Sequence, residues 1–260
     1  IGTRFSLGLH KLKLQYNYSN YREHVEQNVY QFWIYDSLNT IHQYGELGFD
    51  YFRGHSLSLL YELNMRKPSY AMNMLPGSGW KIKGNLSYEW NKLMDGFSVN
   101  EEYSTLGVDF IPYNTARITA EAERHFTLNK ENKIVASISG IGGGLSAPNV
   151  DDFFHFFGGG LPGIKGYTFY EKSLTGPYYF VGTAAFRIPL LLEQNYTWAQ
   201  FNMQNLSLGG IFQFGSAIQN SFSEIIKADN YKLSAGLECR LHGFSFYSYP
   251  SAISYEYHQP

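Results

Sequence analysis

Apolar and polar residues alternate with a period of two along most of this 260-residue chain. The segment 80–91 is the clearest. Trp80, Ile82, Gly84, Leu86, Tyr88 and Trp90 fall on one face of an extended backbone, and Lys81, Lys83, Asn85, Ser87, Glu89 and Asn91 on the other. The same division sets Leu57, Leu59, Tyr61, Leu63 and Met65 against Ser56, Ser58, Glu62, Asn64 and Arg66. It sets Ala116, Ile118, Ala120 and Ala122 against Arg117, Thr119, Glu121, Glu123 and His125, and it recurs over 231–242. The pattern predicts about twelve strands, near 9–18, 28–36, 41–52, 56–66, 79–91, 103–112, 115–127, 133–141, 177–191, 201–216, 230–243 and 252–258. Turns are expected at Lys67-Pro68, at Pro76 to Gly79, at Pro112-Tyr113-Asn114 and at Asn129 to Asn132. Phe5, Leu7 and Leu9 are odd-numbered but Leu12, Leu14, Tyr16 and Tyr18 are even, so a bulge or turn is expected near His10. No helical stretch, internal repeat or linker interrupts the pattern, which predicts a single domain spanning 1–260.

A soluble sandwich alternates as well, and three further features favour a transmembrane antiparallel β-barrel. The predicted strands run to about ten residues or more, against roughly 5–6 in soluble sheets, which is the span of a tilted membrane strand. Apolar faces carry Tyr or Trp near their ends, as at Trp80, Trp90 and Tyr178. The polar faces bear charges of both signs, as a wet or loop-filled interior allows.

Composition sharpens this. The chain is 44% hydrophobic and 18% aromatic, with 22 Tyr and 20 Phe, the usage expected where aromatic girdles sit at membrane interfaces. No apolar run approaches the roughly 18–20 residues of a membrane helix, which excludes a helical membrane protein. A net charge of −2 gives no reason to expect nucleic acid as a partner. The single cysteine, Cys239, excludes an internal disulfide and sits at an outward strand position, where it reads as a small hydrophobe. Nothing near Ile1 resembles a signal peptide, which an outer-membrane protein requires, so a stretch of a longer protein is expected.

Catalytic chemistry finds little support. The run Gly140 to Gly144 lacks the following helix of a dinucleotide loop and reads as a glycine-rich strand end. The eight histidines show no zinc spacing. His125 shares a face with Glu121 and Glu123, either as a structural polar ladder or as a metal or acid–base site. No nucleophile, base and orienter converge. No catalytic residue, metal or cofactor is predicted, and the chain is not expected to be an enzyme.

The most distinctive stretch is 153–190, FFHFFGGGLPGIKGYTFYEKSLTGPYYFVGTAAFRIPL. Its glycine-rich run leads into Ile164, Lys165, Gly166 and Tyr167, and a strand ending Phe186-Arg187-Ile188-Pro189-Leu190 follows about twenty residues later. This layout resembles the inward-folded loop and following strand of the bacterial outer-membrane insertase and translocase superfamily. That superfamily includes BamA- and TamA-like barrels of the surface-antigen type and two-partner secretion transporters. The segment 236–257 resembles their late strands. The resemblance implies a sixteen-stranded barrel with the loop after its eleventh strand. About eight strands here precede Lys165 and about four follow, so the chain would be incomplete at both ends, lacking the closing seam and any N-terminal periplasmic part.

In the superfamily an Arg-Gly-Phe or Arg-Gly-Tyr tip lies in the barrel and its Arg reaches acids on the next two strands. Lys165 here takes the place of that Arg, keeping the cation without the planar fork. The resemblance places Ala185, Arg187 and Pro189 on the next strand, with Ala185 where an acid would stand. It places Gln213, again in place of an acid, and Gly215 on the one after. Lys165 is therefore expected to anchor the loop inside the barrel, paired with Gln213 or with Glu238 on the strand beyond. The plainer alternative is an exposed loop beside an ordinary strand end.

The implied function is assembly of outer-membrane proteins or translocation of polypeptide in the bacterial outer membrane, without a chemical reaction. Partners would be outer-membrane lipid, an unfolded β-barrel client or secreted polypeptide, and accessory subunits. The alternative functions are a passive pore and a membrane anchor for an attached soluble domain.

Overall fold

The computed structural model describes residues 1–25, 29–34, 37–42, 47–67, 77–102, 105–218, 231–246 and 249–260. The strands are β1 (Gly2–Leu7), β2 (His10–Val25), β3 (Val29–Ile34), β4 (Ser37–His42), β5 (Leu47–Asn64), β6 (Gly79–Asn100), β7 (Thr105–Asn129) and β8 (Ile134–Leu145). They continue with β9 (Phe156–Phe157), β10 (Thr175–Gly176), β11 (Tyr178–Leu191), β12 (Tyr196–Trp198), β13 (Phe201–Ile218), β14 (Lys232–Ser245) and β15 (Tyr249–Gln259). Among the described residues the only helical turns are short 3₁₀ turns at Asp152–Phe154 and Lys172–Leu174. The protein is all-β. One antiparallel sheet of 11 strands runs in the order β1-β2-β5-β6-β7-β8-β11-β13-β14-β15, with β12 also on β13. β3 pairs with β4, and β9 with β10, in small separate sheets.

Most expected strands are present, but several boundaries move. The phase slip near His10 is a hairpin. β1 is an additional strand, and the two-residue turn at Gly8-Leu9 joins it to β2 with Gly8 at φ 60°. A positive φ at the first turn residue matches the twist of the paired strands. Phe5 then stands opposite Leu12, which restores one apolar face.

The expected strands 41–52 and 56–66 merge into β5 from Leu47 onward. Those at 103–112 and 115–127 merge into β7, a 25-residue strand with no turn at Pro112-Tyr113-Asn114. Proline is tolerated there because β8 pairs only with Arg117 to Asn129, so Pro112 lies beyond that ladder. β6 extends beyond the expected end to Asn100. The turn after Asn129 forms as expected. The expected turns at Lys67-Pro68 and Pro76 to Gly79 lie partly outside the described residues, as do parts of the strands expected at 28–36, 41–52, 103–112 and 230–243.

The chain forms two compact units. One comprises Ile1, Tyr16–Leu57 and Tyr88–Thr115; the other comprises Gly2–Gln15, Ser58–Ser87 and Ala116–Pro260. In the first, Phe52 is buried and stacks on Tyr21, and Phe49 meets Phe97 edge-on with ring centroids 4.9 Å apart. Arg53 pairs with Asp50 at 2.8 Å and lies over the Phe110 ring. The second unit holds a buried apolar cluster of Ile164, Leu174 and Val181.

The faces of the sheet are buried in the reverse of the usual order. Ser58, Ser87, Asn91, Thr115, His125, Asn205, Ser207, Gln213, Ser234 and Glu238 are buried. Leu86, Tyr88, Trp90, Ile118, Phe212, Leu233 and Leu237 are exposed, Leu237 at 70% of its surface. Alternation places these two sets on opposite faces of the same strands. The polar face is thus the covered one.

Candidate functional site

Between β8 and β11 the chain does not run straight from strand to strand. Residues 146–177 form a loop laid against the polar face, stiffened by its own backbone bonds. Asp151 caps the first 3₁₀ turn by accepting from the Phe153 N–H at 2.9 Å. β9 and β10 pair Phe156 with Gly176 and Phe157 with Thr175. The Ile164 N–H donates to the Gly158 carbonyl at 2.8 Å, closing the glycine-rich run on itself. The close approach demands glycine, since a Cβ at Gly163 would lie 2.1 Å from the Gly158 oxygen. At the tip, Gly166 takes φ 94°, a conformation L side chains rarely adopt.

Two sets of contacts hold the loop down. At its start, Arg117 on β7 donates to the Phe154 carbonyl at 2.6 Å and lies 4.6 Å from the Phe156 ring centre. Phe156 in turn stacks on Tyr179. Both rings occupy space left by Gly143, where a Cβ would come within 2.9 Å of each. The glycine-rich end of β8 therefore makes room for the loop, in keeping with its reading as a strand end.

At the tip, Gln213 on β13 accepts from the Lys165 backbone N–H at 2.9 Å and donates to the Gly163 carbonyl and the Thr183 hydroxyl, each at 3.1 Å. Gly215 lies against the buried side chain of Ile164, whose Cδ1 would sit 3.0 Å from an added Cβ. The Tyr167 hydroxyl donates to the Leu233 carbonyl at 3.1 Å. The Lys165 ammonium forms an ion pair with Glu256 on β15.

This arrangement keeps part of the sequence reading and corrects part. Lys165 does meet Gln213, but through its main chain. Its charge pairs with Glu256 and not with Glu238. Glu238, with its side chain 1% exposed, pairs instead with Arg187 on β11 and with Arg240 two residues on, at 2.8 Å for the latter. Ala185 is buried on the face it shares with Arg187, and Pro189 is half-buried further along the same face.

Arg187 and Glu238 are separated by a whole strand, because both register with Gly209 on β13. The missing side chain lets the guanidinium cross. A Cβ at Gly209 would come within 2.7 Å of the Glu238 carboxylate and 2.8 Å of the Phe186 carbonyl.

Glu238 and Glu256 stand directly opposite one another on β14 and β15. Two like charges so placed repel. Arg240 lies 3.7 Å from Glu256 as well, and His258 Nε2 lies 3.4 Å from it. Arg187, Arg240 and Lys165 thus enclose the two carboxylates in one connected network. Acids are present on this face, but one and two strands beyond the places the resemblance implied. Glu256 carried no signal of its own beyond the alternation Ser254, Glu256, His258. Compared with protein-family models and with curated proteins, the chain matches none.

Elsewhere on the polar face, Glu123 lies 2.9 Å from His125 Nε2 and 3.8 Å from Arg66. Glu121 pairs with Lys83 at 2.9 Å. Among the described residues no group of three or more His, Cys, Asp or Glu is arranged to hold a metal ion. His125 meets an acid two residues earlier on its own strand, whereas Glu121 pairs across to Lys83 on the neighbouring β6.

Proposed function

We propose that this chain is part of an outer-membrane β-barrel of the insertase and translocase superfamily, acting in assembly of outer-membrane proteins or passage of polypeptide. The observation that carries the reading is the loop of 146–177, which lies on the covered polar face with the Lys165 cation paired to an acid there. A cation brought back onto the polar face at a Lys-Gly-Tyr tip is the feature the resemblance calls for.

The reversed faces support a lipid setting. Exposed Leu, Ile, Phe, Tyr and Trp facing outward from buried Ser, Asn, Gln and Glu is costly in water and favourable in hydrocarbon. On β6 the apolar face runs from Trp80 to Trp90, about the length that crosses a bilayer at a tilt. Near one end, Arg124 lies 4.3 Å from the Trp80 ring centre. An aromatic ring with a long cation over it suits the boundary between acyl chains and water.

The test has two arms. The protein is expected to fractionate with outer membranes and to resist extraction at high salt; recovery in the soluble fraction would remove the barrel reading. Depletion in the source organism is expected to lower the amounts of other outer-membrane proteins. A steady, ungated conductance in planar bilayers, with those amounts unchanged, would assign a passive pore instead.

A further inference from the structure

On the same polar face, away from the loop tip, a cavity of about 380 Å³ opens between β1, β2, β5, β6 and β7 in the second unit. Its charged lining consists of Arg4, Lys11, Lys13, Lys83, Glu62 and Glu121. Arg4 and Lys13 are direct register partners across the β1–β2 hairpin, so two cations stand side by side on one face. Neither has a carboxylate within ion-pair distance among the described residues.

The acids nearby are already engaged. Glu121 holds Lys83 at 2.9 Å and lies 3.9 Å from Lys81, and Glu62 lies 3.9 Å from Lys11. The lining therefore sets four cations against two carboxylates, an excess of two positive charges. Like charges directly opposed across a strand pair destabilise it. A sequence that keeps them beside an open cavity gains if an anion sits between them, because charge-assisted hydrogen bonds to a shared oxyanion turn repulsion into attraction.

We propose that this cavity binds a multiply charged phosphate group, with Arg4 and Lys13 as its principal ligands and Lys11 and Lys83 completing the cage. A carboxylate would neutralise one of the two excess charges, whereas a phosphomonoester dianion or a diphosphate matches both. Arg4 offers a planar fork for two phosphate oxygens, and the lysines act as point charges. The Thr119 side chain also lines the cavity, and its hydroxyl is a further donor. The proposal does not depend on what the barrel transports, since it rests on the charges of this face alone.

The same chemistry can arrive as free diphosphate or as the phosphorylated headgroup of a lipid. Titration calorimetry on the full chain in neutral detergent micelles, at low ionic strength, separates the sources. Inorganic pyrophosphate and dihexanoyl phosphatidic acid are the two probes, and the tighter binder names the source. Pyrophosphate or the short lipid is expected to bind with a dissociation constant below about 1 mM, weakening as salt is added. The double variant R4Q/K13Q is expected to lower affinity at least about tenfold.

E62Q, which removes a competing carboxylate, is expected to tighten binding by about threefold. Should the double variant fail to fold, E62Q alone decides. Absence of binding by the wild-type chain to both probes would overturn the proposal. So would undiminished affinity in folded R4Q/K13Q, unchanged affinity in E62Q, or equal affinity for succinate.

Discussion

Single residues on the polar face differ sharply in what they hold. Glu238 is almost wholly buried between Arg187 and Arg240. Replacing it with Gln strands Arg187, whose side chain is 12% exposed, so the loss is expected near 3 kcal/mol. Lys165 and Glu256 keep about a fifth of their side-chain surface in contact with solvent. Breaking that pair by K165M or E256Q is therefore expected to cost only about 1 kcal/mol, with the double variant no worse than either alone. Urea unfolding of the reconstituted chain reads all four variants. Additive losses at Lys165 and Glu256 would show that the two charges do not act on each other. The ordering follows from burial: the less water reaches a charge, the more its missing partner costs. Gly209 belongs with these residues although it bears no charge, because any side chain there blocks the path from Arg187 to Glu238.

At the scale of elements, the loop is fastened at two places by different chemistry. Its start rests on one guanidinium, hydrogen-bonded to a backbone carbonyl and stacked on a ring. Its tip rests on amide hydrogen bonds and an ion pair. The substitution R117A is expected to speed amide hydrogen exchange at His155 and Gly158 about tenfold or more, while Ile164 and Lys165 keep their protection. Equal loss along the whole loop would mean that it opens as one unit. The strands show where local signals mislead. Pro112-Tyr113-Asn114 has the composition of a turn, yet β7 runs through it, because Pro112 lies beyond the β8 ladder and its missing N–H costs no bond to that strand. The slip near His10, in contrast, could be read from parity alone, since only a turn or bulge can exchange the faces of a strand.

For the whole molecule, the proposed lipid setting of the exposed apolar face makes a prediction that no soluble sheet shares. Leu237 lies on the exposed face of β14 and Ser234 on the covered face. L237R is expected to lower stability in vesicles by about 2–4 kcal/mol, as a cation pushed into hydrocarbon does. S234T, on the covered face, is expected to change it far less. A tolerated L237R would place that face in water. The alternating code determined much by itself: the all-β class, the polar and apolar sets, and the segment 153–190 as the stretch to examine. Those features are local, since each residue's parity decides which face it takes. Which strand would meet the loop tip is a different kind of question. Glu256 and Glu238 are alike in sequence, both acids on a polar face, and only register and the path of the loop sent Lys165 to one and Arg187 to the other. Pairing across a sheet depends on segments far apart in the chain, and only the folded backbone brings them within reach.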